Sequence, residues 1–222
     1  VLTRPIIQQW SILTDIIKFI RIMYLFGASG HGKVIKEIIE AGGQEVDAFV
    51  DDNPNINELC GKKVLHTRMG VSPIIISIGV NQNRKMIAEQ LLAYNPNIKF
   101  GIAIHPSAVV SPSAKIGEGT VIMAGAVVCA GAVIGRHCII NTGASIDHEC
   151  VLGDYCHMAP HATLSGQVHL GEGVIMGVSS CAINCTNIGS WATIGAGAAV
   201  VKPIPANCTA VGVPAKPIKF NK

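Results

Sequence analysis

The stretch Ile146-Asp147-His148-Glu149-Cys150 sets two acids and an imidazole side by side in a region otherwise rich in Ala, Val and Gly. His148 carries a group whose ordinary pKa lies near neutrality, which suits it to accept a proton from an attacking nucleophile. A carboxylate beside it, Glu149, can hold the imidazole in one tautomer. Eighteen residues further on stands Gly166, whose N–H could meet a developing oxyanion and whose missing side chain would leave a slot. A base, an orienting acid and an N–H donor are what an acyl transfer asks of a protein. The same pair also describes a solvated His–Glu couple on a surface, so the chemistry depends on how the chain presents it.

Two other chemistries are weaker. His148, Cys150, Cys156 and His157 imitate a zinc-ligand spacing, but on alternating strands the thiols point inward and the imidazoles outward, which defeats tetrahedral coordination. Cys138, Cys150 and Cys156 fall on inward positions, where thiols act as compact apolar filler instead of nucleophiles. A β-helical carbonic anhydrase would need three stacked zinc histidines, and His157 with His161 has no third. No metal is expected, and Cys181 and Cys185 receive no role.

What must position His148 is a repeat. From Val110 an aliphatic residue recurs at every sixth position through Ile116, Ile122, Val128, Ile134, Ile140, Ile146, Leu152, Met158, Leu164, Leu170 and Met176, then again at Ile188, Ile194 and Val200, with Ala182 the weak member. A small or compact residue stands two before each, so every hexapeptide is a short strand with both residues facing inward, followed by a bend. Gly117, Gly135, Gly153, Gly171 and Gly189 recur at intervals of eighteen, three hexapeptides. They are expected to stack on one corner of a three-sided parallel β-helix, where glycine tolerates a left-handed backbone, as would Asn141 or Asp147. About five coils are expected.

Residues 23–104 read as a separate α/β domain: an apolar strand from Ile22 to Phe26, a helix-period stretch through Val34, Ile35, Ile38 and Ile39, a strand ending at Asp51-Asp52, and a buried strand Ile74 to Ile78. Between the first strand and the helix lies Gly27-Ala-Ser-Gly30-His31-Gly32-Lys33. Such a turn lets phosphates approach the N–H groups of a helix N-terminus. It departs from a P-loop, since Val34 replaces the magnesium-binding hydroxyl, and it lacks the G-x-G-x-x-G dinucleotide pattern. The alternative is that these glycines only close a tight turn.

Composition narrows the field. The 222 residues allow two small domains, with 49% hydrophobic and 14% charged residues. Apolar runs stay well short of the ~20 residues a bilayer crossing needs. Net charge is +3 with scattered Lys and Arg, which gives nucleic acid no basic stripe. Eight cysteines in a chain of this length suit a reduced cytoplasmic protein better than a disulfide scaffold. Residues 1–22 read as an extension before the fold, in the form of an amphipathic helix, and residues 105–222 as the β-helix.

Jointly, Tyr24-Leu-Phe-Gly-Ala-Ser-Gly-His-Gly32, Asp51-Asp52, Ile78-Gly-Val-Asn81 with Arg84, Asn141-Thr-Gly-Ala-Ser-Ile-Asp-His-Glu-Cys150 and Val211-Gly-Val-Pro-Ala-Lys216 make the chain resemble the NeuD/PglD-type sugar acyltransferases over about residues 22–220. The resemblance implies a Rossmann-like domain followed by a left-handed β-helix, acetyl-CoA as co-substrate and a nucleotide-linked amino sugar as acceptor. It implies His148 as general base, Glu149 as its orienting partner and His157 near the acetyl thioester. Gly27, Ser29, Gly30, His31, Gly32, Asp51, Asp52, Asn81, Arg84 and Asn141 would bind the nucleotide sugar. Gly166, Gly195, Ala196, Gly197, Gly212, Val213, Pro214 and Lys216 would line the CoA channel. A homotrimer with sites between subunits is expected by the same likeness.

Overall fold

The computed structural model describes residues 22–220, so the expected helical extension lies outside the described residues apart from Ile22, which opens the first strand. The α/β domain runs β1 (Ile22–Phe26), α1 (Gly30–Ala41), β2 (Glu45–Val50), β3 (Glu58–Leu59), β4 (Lys62–Leu65), β5 (Ile74–Ile76) and α2 (Asn81–Tyr94). Its sheet has the order β3-β4-β2-β1-β5, parallel except for the β3–β4 hairpin. Because β1 sits between β2 and β5, connections leave it in opposite directions. By the general rule for open α/β sheets, the ligand crevice belongs beyond the carboxyl ends of β1 and β5, where the glycine turn lies. Helix α1 buries Ile35, Ile38 and Ile39, a spacing that lines one face of a 3.6-residue period.

From Ala103 the chain winds through two-residue strands at six-residue intervals, one to each face of a prism. The first face stacks the strands from Val109–Val110 to Ala199–Val200, the second those from Lys115–Ile116 to Asn187–Ile188, and the third those from Ala103–Ile104 to Cys208–Val211, closed by antiparallel Lys216–Phe220. These three sheets hold six, five and eight strands, so the prism is taller than the five coils expected. From Ala103 to Val200 every register pairs residues eighteen apart, as in Val127 with Ser145 and Ile139 with His157, and the last coil shortens the step to sixteen at Thr193 with Thr209. The small and aliphatic inward positions form one continuous core from Ile122 to Ala210, including Cys138, Cys150 and Cys156. All eight cysteines are free thiols.

The corners correct one expectation. Left-handed φ falls two residues after the glycine series, at Gly119, His137, Tyr155, Gly173 and Trp191, with φ between 54° and 75°. At Gly117, Gly135, Gly153, Gly171 and Gly189 glycine answers crowding instead: a Cβ on Gly135 would lie 2.6 Å from the Asp154 nitrogen and the Gly153 carbonyl carbon. Coils stack so closely at this edge that no side chain fits. Asn141 and Asp147 have negative φ as well, the left-handed residues of their bends being Gly143 and Glu149.

The two domains share a core. Outward residues Val121, Ile139 and Met123 of the third face pack with Met23, Leu25, Ile35 and Phe49. Arg84 on α2 is 1% exposed and donates to the carbonyls of His137 (2.7 Å) and Tyr155 (2.9 Å) on the prism, as well as to Ile78, Gly79 and the Asn81 side-chain oxygen. The Asn81 amide donates to the Gly173 carbonyl. This clamp ties the first turn of α2 to the edge between the second and third faces.

Candidate active site

His148 and Glu149 occupy the bend between strands Ser145–Ile146 and Val151–Leu152, at the edge joining the first and second faces. Both project outward, with side chains 56% and 60% exposed, because Ile146 and Cys150 on either side take the inward positions. The His148 Nδ1 lies 3.4 Å from Glu149 Oε2, and the His148 backbone N–H donates to Asp147 Oδ1 at 2.7 Å. One coil further, Gly166 lies under the imidazole: a Cβ there would stand 2.5 Å from His148 Cε1 and Nε2. Among the described residues nothing accepts the Gly166 N–H. The expected slot is therefore real, and it is filled by the ring that would act as base.

This edge also holds residues that the sequence reading passed over. Glu149, Gln167, His169, Cys185 and Asn187 line an open depression of about 400 Å³. Gln167 donates through Nε2 to Glu149 Oε2 at 2.8 Å. Cys185 in turn donates to Gln167 Oε1 at 3.3 Å. Stacking arithmetic could have found Gln167, since it stands eighteen residues after Glu149, as Gly166 does after His148. Donation from Gln167, then from His148, holds the Glu149 carboxyl below its ordinary pKa.

The remaining residues fall on other parts of the molecule. Asn141 begins the bend between the third and first faces, and its amide donates to His157 Nε2 at 3.2 Å. That places the ring proton on Nδ1. Burial, then the positive charge of Arg84 and the neighbouring His31 ring, lower the His157 pKa to about 4, so the ring is neutral near pH 7. His31, at the start of α1, approaches from the α/β domain; burial and Arg84 lower its pKa to about 4 as well. Its buried Nε2 has no partner among the described residues. Gly195, Ala196 and Gly197 lie on the same edge as Asn141, three coils along. Beside them runs the exposed 212–216 loop, where Gly212 O accepts from the Ala199 N–H and the Ala215 N–H donates to Ala199 O. Val213, Pro214 and Lys216 are exposed.

Within the glycine turn the roles divide. Gly30 faces open space, whereas a Cβ on Gly32 would stand 2.5 Å from the Gly27 carbonyl oxygen and 3.0 Å from the Phe49 ring. Gly32 is thus required for helix–strand packing. Gly27 has φ +113°, a conformation glycine adopts freely. Ser29 is extended and makes no side-chain cap. Asp51 braces the turn, accepting from the Ala28 N–H at 2.7 Å, and Asp52 pairs with Arg68 at 2.9 Å. Asn81 and Arg84 are fully buried in the domain clamp and do not open onto the crevice, so burial separates them from the expected substrate contacts.

Thus one chain presents His148, Glu149 and Gly166 on one edge and Asn141, His157, Gly195–Gly197 and the 212–216 loop at another, with the first face between them. No group of three or more His, Cys, Asp or Glu side chains suited to a metal occurs among the described residues. No helix there is long and apolar enough to cross a membrane.

An α/β domain clamped on a left-handed β-helix with an outward His–Glu pair defines the class of hexapeptide-repeat acyltransferases. Residues 23–91 match the PglD N-terminal domain and residues 131–166 the bacterial transferase hexapeptide of six repeats. The chain is 44% identical over 107 residues to the UDP-N-acetylbacillosamine N-acetyltransferase of Bacillus subtilis (strain 168), a match spanning 44% of this chain and 49% of that protein. Among solved structures, the acetyltransferase domain of PglB from Neisseria gonorrhoeae FA1090 in complex with acetyl coenzyme A is 40% identical with a TM-score of 0.83, covering 89% of this chain and 99% of that one. PerB from Caulobacter crescentus, in complex with CoA and GDP-perosamine, is 37% identical with a TM-score of 0.82, covering 89% and 97%. The chain belongs to the NeuD/PglD family of hexapeptide-repeat sugar acyltransferases.

Proposed function

We propose that the protein transfers the acetyl group of acetyl-CoA to the 4-amine of a nucleotide-linked 4-amino-4,6-dideoxy sugar, with UDP as the carrier, in bacterial surface-glycan synthesis in the cytoplasm. The observation that carries the reading is His148 seated on Gly166, its Nδ1 toward Glu149 and an unpaired N–H beneath it. The neutral amine attacks the thioester carbonyl carbon, and His148 accepts the proton it loses. The oxyanion meets the Gly166 N–H, and collapse breaks the C–S bond, releasing CoA. With Glu149 on Nδ1, the Nε2 lone pair is the basic site.

The split of expected residues between two edges supports a site made by two copies, within a homotrimer. The His148 edge of one prism would face the Asn141–His157 edge of the next, with CoA running along Gly195 to Lys216. The crevice at Gly27, Ser29, Gly30 and His31 would hold the nucleotide, and the unpartnered His31 Nε2 fits a polar ligand there.

A second reading, a GDP-linked acceptor, is favoured by the Caulobacter relative solved with GDP-perosamine. dTDP-linked amino sugars and the hydroxyl of a sialic acid are further acceptors to test. Purified protein offered acetyl-CoA with UDP-, GDP- and dTDP-amino sugars, followed by thiol release, should favour the UDP sugar. His148→Ala should cut turnover by about 100-fold or more, the scale of a lost acid–base group. Near-normal turnover in that variant would remove His148 from the mechanism.

A further inference from the structure

We propose that Gln167 is a positioning residue for this reaction, acting through Glu149 on His148, with Cys185 fixing the orientation of its amide. The inference rests on the transferase reading of the His148 edge. Three residues stacked at eighteen-residue steps, Glu149, Gln167 and Cys185, form a directed chain of hydrogen bonds. The thiol can donate to Gln167 Oε1, which turns Nε2 toward Glu149 Oε2, and an ionised carboxylate can only accept. The order of donors is therefore set from the far end.

Distances give the chain its purpose. The Glu149 carboxylate is largely exposed and lies 3.4 Å from His148 Nδ1, too long to fix either partner alone. Its contact with Gln167 is 2.8 Å, within the range of a strong charge-assisted bond. Gln167 is thus the tighter of the two partners on the same oxygen, and it determines where that oxygen stands. An oxygen held beside Nδ1 favours the Nδ1–H tautomer and leaves Nε2, the atom over Gly166, free to take a proton. Released, Glu149 would sample its rotamers in water, and His148 would return toward the tautomer mixture of a free imidazole.

The test compares Gln167→Met, which keeps length and removes the donor, with Gln167→Lys, which restores a donor. Neither is β-branched, so both tolerate the left-handed φ of 61° at this position about as well as glutamine. Gln167→Met should lower kcat about tenfold with KM for acetyl-CoA and acceptor within twofold, and Gln167→Lys should recover most of it. In a Glu149→Gln background, Gln167→Met should add less than twofold, because the path through the carboxylate is already cut. Equal losses in both backgrounds, or a change confined to KM, would overturn the proposal.

Independently of turnover, ¹⁵N NMR of the His148 ring should show the Nδ1–H tautomer in the intact protein and a shift toward Nε2–H in Gln167→Met. An unchanged tautomer would also overturn it. A His148→Ala control separates the two readings. If that variant is fully active the transferase mechanism is wrong, whereas if it is dead while Gln167→Met matches wild type only the positioning role fails.

Discussion

Replacing Gly166 with alanine tests the catalytic geometry at its tightest point. The added Cβ would stand 2.5 Å from His148 Cε1 and Nε2 and 3.1 Å from Cδ2, whereas ordinary carbon contacts lie at about 3.5–4.0 Å. The ring must therefore retreat by about 1 Å or rotate off the slot. Since His148 is more than half exposed and Gly166 does not have a left-handed φ, the retreat is into solvent and the fold is barely taxed. A misplacement of about 1 Å in a reacting group costs on the order of 100-fold in rate. Gly166→Ala should therefore lower kcat by about 100-fold, measured by thiol release from acetyl-CoA, while its urea midpoint stays near that of wild type. Turnover within threefold of wild type would show that the imidazole does not act from its seat on this glycine.

Two further outcomes concern the domain junction. Arg84→Met should cost about 3–5 kcal/mol in urea unfolding, because it strands buried carbonyls that the guanidinium satisfies at His137, Tyr155, Ile78 and Gly79; a loss under about 1 kcal/mol would sink the clamp. His31, His137 and His157 have pKa values lowered to about 4, by burial first and by Arg84 second. Each stays neutral in the folded chain while its unfolded counterpart protonates below about 6.5. Stability is therefore complete above that pH, falls between about 6.5 and 4, and levels off below, by up to about 3 kcal/mol per ring. Asp154, whose pKa is lowered by its bonds to Arg136 against the opposing effect of burial, acts below this window. A urea midpoint flat from pH 6.5 to 4 would contradict the assignment.

The six-residue period, the inward thiols and the outward His148 and Glu149 were legible in the sequence because each depends on strand alternation, which is local. Gly166 was legible because parallel coils pair residue i with i+18, and the same count leads to Gln167. The sequence did not reveal why its glycines recur. The series from Gly117 to Gly189 looked like a conformational need, but only stacked coils show that it is a need for space. Nor could local pattern assign Asn81 and Arg84: a polar residue beside a glycine-rich crevice reads as a ligand contact until the second domain closes over it. Side-chain direction within one strand follows from the alternation of its own backbone, whereas burial between domains depends on which surfaces meet, and that is decided only when the whole chain has folded.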